Sequence, residues 1–94
     1  MLIHLTLIGK PGCHLCEDAD LVVAEVVREF ESAHAGDAVL VEFETKNILE
    51  DDHLALKHSE EIPVLLINGK THAYWRIDPV RFRAALEVLA AEAK

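Results

Sequence analysis

The chain has 94 residues, with 9 Lys+Arg against 17 Asp+Glu, and so a formal net charge of −8. That length is a single domain's worth, expected to span residues 1–94, and a hydrophobic content of 51% excludes disorder. The negative balance, with basic residues scattered along the chain, argues against nucleic acid and anionic membrane as partners, since both are bound by clustered Lys and Arg.

Leu2 to Ile8 is apolar on both faces, with Ile3, Leu5 and Leu7 on one and Leu2 and Ile8 on the other, which predicts a buried strand. Gly9-Lys10-Pro11-Gly12 follows as a loop. It lacks the spacing and the terminal Lys-Ser/Thr of a phosphate-binding loop, which removes a nucleotide site. From Leu15 the apolar positions Ala19, Val22, Val23, Val26, Phe30 and Ala33 step by three and four, predicting an amphipathic helix that ends near Gly36. Val39, Val41 and Phe43 alternate with Leu40, Glu42 and Glu44, the pattern of a second strand. A short helix is expected around Asp51 to His58.

Val64-Leu65-Leu66-Ile67 is a continuous apolar run, and Asn68-Gly69 supplies the two positive-φ residues of a type I′ turn into Thr71 to Trp75. Asp78-Pro79 is an N-cap followed by a favoured first-turn proline, and Phe82, Ala85, Leu86, Leu89 and Ala90 carry a helical stripe to the C-terminus. The order β-α-β-α-β-β-α predicts an α/β fold, a four-stranded mixed sheet flanked by helices. Its two crossovers lead us to expect the first three strands to be parallel. No stretch approaches the roughly 18–20 apolar residues of a membrane span. The start of the chain lacks the basic, apolar and small-residue regions of a signal peptide, so a cytoplasmic location is expected.

Two cysteines are too few for a disulfide scaffold, and Cys13-His14-Leu15-Cys16 cannot staple distant segments. The pair falls where the first loop enters the first helix. There the unpaired N–H groups and the positive end of the helix dipole stabilise a thiolate, which is the nucleophile of disulfide exchange. Cys13 is therefore the expected attacking thiol. Cys16, one turn inside on the same face, can reach a mixed disulfide on Cys13 and resolve it. A metal or cluster ligand role is the alternative reading of such a pair.

Lys10-Pro11-Gly12-Cys13-His14-Leu15-Cys16, Glu61-Ile62-Pro63-Val64 and Ile67-Asn68-Gly69-Lys70 occur in an order and spacing that resemble a glutaredoxin-like protein of the thioredoxin superfamily. The resemblance covers essentially the whole chain. It implies a thioredoxin-like fold and a thiol–disulfide oxidoreductase of cell redox homeostasis. It also implies a cis Pro63 packed beside the cysteines, an Ile62 backbone that pairs with the bound thiol substrate, and a Lys10 that contacts a glutathione carboxylate. The chain departs from the family after the fourth strand, where Tyr74-Trp75-Arg76-Ile77-Asp78 replaces a Gly-Gly and an acidic pair. His14 and Leu15 replace the usual proline and aromatic residue after the nucleophile.

Among the remaining residues, His14 either supports the thiolate when protonated or is a solvated residue of the helix start. Lys10 can steer an anionic substrate. Glu17, Asp18 and Asp20 oppose a nearby thiolate, yet acids in a first turn ordinarily complement the helix dipole. Zinc held by Cys13, Cys16, His53 and His58 has the wrong spacing, and the histidines are expected to be mostly solvated. Tyr74 and Trp75 are expected to cover the sheet edge against the last helix, with substrate contact as the alternative. Asp51-Asp52 and Glu60-Glu61 read as solvated faces.

The expected partner is a disulfide-bearing protein or a small thiol, with glutathione as a co-substrate. The protein is expected to be a monomer with no resident cofactor. Two rival readings are an iron–sulfur or metal-binding module and a non-catalytic adaptor that binds through its Trp75 edge.

Overall fold

The computed structural model describes residues 1–92, so the expected end of the last helix, at Ala93 and Lys94, lies outside the described residues. Strand β1 (Leu2–Gly9) leads into helix α1 (His14–Ala33), strand β2 (Leu40–Asn47), a 3-10 turn (Ile48–Glu50) and helix α2 (Asp52–His58). Strands β3 (Val64–Ile67) and β4 (Lys70–Tyr74) then precede helix α3 (Pro79–Glu92). The element order is the expected one, and the sheet is four-stranded and mixed in the order β2-β1-β3-β4.

The direction of β3 corrects the sequence expectation. β1 and β2 are parallel, but β3 is antiparallel to β1, so the first three strands do not all run one way. The reason is length. β2 has eight residues and advances about 26 Å, whereas the seven-residue α2 returns only about 10 Å. The chain cannot get back to the start of β2 and re-enters the sheet at the end it left. Ile8 accordingly pairs with Lys46 near the close of β2 and with Val64 at the opening of β3.

The two faces of the sheet are covered unequally. Ile3, Leu5, Leu7 and Leu65 meet Ala19, Val23, Val26 and Phe30 of α1 and Phe82, Leu86 and Ala90 of α3 in the main core. On the other face Ile8, Ile48 and Val64 form a smaller core under Leu54 and Ala55 of α2. Because α2 covers only the end of the sheet near Gly9, Leu2 at the far end of β1 is exposed rather than buried. The β3–β4 turn is as expected, with φ of 51° at Asn68 and 82° at Gly69. Asp78 Oδ1 accepts from the amides of Val80 and Arg81, capping α3 ahead of its first-turn proline.

Candidate active site

Gly12, at φ 75°, turns the loop after β1 through a conformation that favours glycine, and the next residue caps α1. Cys13 is extended, with φ −99° and ψ 110°, and its sulfur accepts from the Cys16 amide at 3.2 Å. Its carbonyl takes the first helical hydrogen bond, from Glu17 N at 3.0 Å. Cys13 and Cys16 are joined as a disulfide, with their Cα atoms 5.2 Å apart. The two sulfurs are unequal: Cys16 is buried at 9% exposure, while Cys13 is half-buried at the surface.

Gly9 makes room for the pair. A methyl group on Gly9 would lie 3.0 Å from both Cβ and Sγ of Cys16, so the second cysteine packs directly on the end of β1. The antiparallel register that pairs Ile8 with Val64 sets Pro63 opposite Gly9 when continued by one step. The Ile62–Pro63 bond is cis, as the resemblance implies, and Pro63 is fully buried. Its carbonyl accepts from the Trp75 amide at 2.8 Å. Among the described residues the backbone of Ile62 has no hydrogen-bond partner, so its amide and carbonyl are left open.

Charge is distributed on two sides of the pair. Lys10 and Lys46 share a cleft of about 260 Å³ with Gly9, Pro11, Cys16 and Thr45, and with the acids Glu17 and Asp20, which match the two lysines in number. Lys46 also lies 3.8 Å from Glu44. The fully exposed His14 imidazole faces Glu17 at 3.8 Å, so its contact is with an acid rather than with a sulfur. On the other side Leu15 joins Tyr74, Trp75 and Arg76 around a hollow. Trp75 is held there at φ 66°, a conformation unusual for a bulky residue, with its indole N–H donating to Glu60 O at 3.1 Å. Its ring stands edge-on to Tyr74 at 5.0 Å and is 54% exposed. Rather than covering the sheet edge against α3, Trp75 fastens the end of β4 to the cis-proline loop. From this segment it is Ile77 that is buried in the core shared with α3.

The glutaredoxin-like domain family (DUF836) matches residues 4–87, a span that holds both cysteines, the cis proline and the Trp75 segment. This chain belongs to that family. It is similar to an uncharacterized protein of Mycobacterium tuberculosis and to another of Mycobacterium bovis. Each is 28% identical over 81 residues, covering 86% of this chain and 79% of the relative. A Nitrosomonas europaea protein solved by NMR superposes with a TM-score of 0.63 at 25% identity, covering 88% of this chain and 89% of its own. A protein of X. campestris solved by X-ray crystallography gives 0.60 at 27% identity, with 89% and 96% covered. Oxidised thioredoxin of Plasmodium falciparum gives 0.58 at 12% identity over 94% and 81% of the two chains, a likeness of fold alone. The glutaredoxin-like domain thus has the thioredoxin-like architecture that its sequence implies.

The structure brings Lys10, Cys13 and Cys16 to one end of the sheet, with Pro63 opposite Gly9 by register. His53 and His58 both belong to α2, and no group of three or more His, Cys, Asp or Glu among the described residues is arranged to hold a metal. Two histidines are less solvated than expected: His58 is buried, and the side chain of His34 is largely so. Sequence reading missed Gly9, Lys46 and the anchoring of Trp75. Gly9 reads as loop punctuation until Cys16 is seen against it, and Lys46 arrives from another strand through the β1–β2 register. No described helix is long and apolar enough to cross a membrane.

Proposed function

We propose that this glutaredoxin-like domain is a thiol–disulfide oxidoreductase in which Cys13 attacks and Cys16 resolves. The observation that carries the reading is the unequal pair itself: a half-buried Cys13 capping α1 and a buried Cys16 bonded to it. Once the pair is reduced, the Cys16 amide and the start of a 20-residue helix favour a thiolate on Cys13. That thiolate attacks one sulfur of a substrate disulfide, the substrate S–S bond breaks, and the first substrate thiolate leaves and takes a proton from water. Cys16 then loses its proton and attacks Cys13, releasing the second substrate thiol and closing the Cys13–Cys16 bond. Two electrons pass from the dithiol to the substrate.

The cycle resets when glutathione or a dithiol reductase returns two electrons to the pair. Lys10 and Lys46 in the cleft beside Cys16 offer ammonium groups to a carboxylate on the incoming thiol, set against Glu17 and Asp20 in the same lining, and the open Ile62 backbone suits an extended substrate segment. We place the reaction in the cytoplasm, carried out by a monomer.

The test is equilibration in glutathione buffers of graded potential, with acid quenching and intact-mass readout. Reversible Cys13–Cys16 oxidation is expected between roughly −180 and −280 mV. Cys13→Ser should abolish exchange, and Cys16→Ser should trap a mixed disulfide on Cys13. No reversible oxidation in that window, or an active Cys13→Ser protein, would overturn the assignment.

A further inference from the structure

Trp75 sits in a conformation that its residue type disfavours, and it is held there from two directions. Among the described residues the others at positive φ are Asn68 and three glycines, types that accept it readily, whereas a bulky side chain at φ 66° carries backbone strain. Such strain persists only where the surroundings over-determine the residue. Here the Trp75 amide donates to Pro63 O at 2.8 Å, and the indole N–H donates to Glu60 O at 3.1 Å.

Burial is not what the ring contributes. Trp75 is 54% exposed and belongs to neither core, and the ring it meets edge-on is that of Tyr74, itself exposed. Its two hydrogen bonds instead fall on either side of Ile62, on the carbonyl two residues before it and on the carbonyl of the residue after it. The same stretch is tied at Glu61, whose amide donates to His58 O at 2.9 Å at the end of α2. Enclosed by these three ties, Ile62 keeps its own amide and carbonyl free of partners among the described residues. Its side chain packs on the smaller core, so the backbone is what it has to offer a substrate.

We propose that Trp75 is a positioning residue for the exchange reaction. By holding Glu60 and Pro63 it fixes the direction of the Ile62 amide and carbonyl, so that a disulfide carried on a peptide backbone is oriented for Cys13 and one without a backbone gains nothing. The proposal rests on the oxidoreductase reading, which supplies the reaction. Pro63 falls opposite Gly9 when the β1–β3 register is continued, and Cys16 packs against Gly9, so the Ile62 backbone borders the strand end that carries the cysteine pair. In a reacting pair a misplacement of about 1 Å can slow the step about 100-fold.

Two probes with the same sulfur chemistry separate this role from a structural one. One is 2-hydroxyethyl disulfide, and the other is a capped nonapeptide whose central cysteine is joined by a disulfide to 2-mercaptoethanol. Each is mixed with the reduced protein, quenched with acid at intervals and read by intact mass as loss of the dithiol. Trp75→Phe keeps a ring beside Tyr74 but loses the donor to Glu60. It should slow oxidation by the peptide about tenfold, the order of one hydrogen bond, and leave the 2-hydroxyethyl disulfide rate unchanged. Trp75→Gly loses the same donor, keeps the amide bond to Pro63 and takes a positive φ without strain, so it should show the same split. In the oxidised form of both variants, ¹⁵N relaxation should show the Glu61 and Ile62 amides gaining fast motion that the wild type lacks.

Amides of Glu61 and Ile62 that stay as rigid as in the wild type would overturn the clamp. Equal slowing of the two probes would make Trp75 a purely structural residue, and no slowing of either would leave the Ile62 backbone without a part in the reaction. Each of these outcomes overturns the proposal and spares the oxidoreductase reading. A wild-type dithiol that reacts with neither probe removes that reading first, and the role of Trp75 falls with it before any variant is compared.

Discussion

The two ends of α1 are built for opposite purposes. At its start Cys13 caps the helix with a sulfur, the neighbouring histidine stands in water, and the backbone of Ile62 is open. At its end Phe30 is fully buried, His34 stacks on it at 4.5 Å, and the guanidinium of Arg83 lies 5.9 Å from the ring centre. The imidazole also bridges Asp37, at 2.8 Å, and Glu87 of α3. One helix thus joins an end free to react with an end tied to two other segments. Under the proposed function the first end keeps hydrogen-bond capacity for a substrate, whereas the second is packed and hydrogen-bonded to two other segments.

The comparison is broken most severely from the tied end. Phe30→Ala removes a fully buried ring from the main core and should cost about 3–5 kcal/mol in urea unfolding. The protein that remains folded should keep its redox midpoint, because the ring lies four helical turns from the cysteines. A midpoint that moved with stability would show that the two ends are not independent.

A smaller loss is expected at the reactive end. Gly9→Ala sets a methyl group 3.0 Å from Cys16 and should cost about 1–3 kcal/mol through overpacking. An unchanged unfolding midpoint would mean that the first turn of α1 yields without resistance.

The smallest effect sharpens the contrast through pH. Hydrogen bonds from the His34 ring to Glu87 and then to Asp37 hold its pKa above the ordinary value, against an opposing effect of burial. The folded state therefore binds this proton more tightly than the unfolded one. The resulting stability is fully present below about pH 6.5 and is lost as pH rises through the higher folded pKa. The wild type minus His34→Gln difference in urea midpoint should shrink between pH 6 and pH 8. His72, lowered by burial and then by Arg81, acts in the opposite sense but is common to both proteins and cancels in the difference. A difference that stays flat with pH would remove the charged clamp.

Periodicity and caps made most of the fold legible, because those signals are local. The stripe from Ala19 to Phe30 and the Asp78-Pro79 start of α3 report on single elements, and each was found where the sequence placed it. Strand direction was misread because it depends on whether a connection is long enough to return, and seven residues of α2 are not. At the site the cysteines and the proline were legible as a motif. Gly9, Lys46 and Trp75 were not, since their roles exist only once β1, β2 and the cis-proline loop are side by side.

The anchoring of Trp75 has an optical consequence. It is the chain's one tryptophan, so all indole emission originates from a ring fixed by two carbonyls, half in water, on the wall that Leu15 shares. A change in the bond between the cysteines on either side of Leu15 alters the surroundings of the single emitter. The protein therefore carries its own unlabelled signal for events at that end of the sheet.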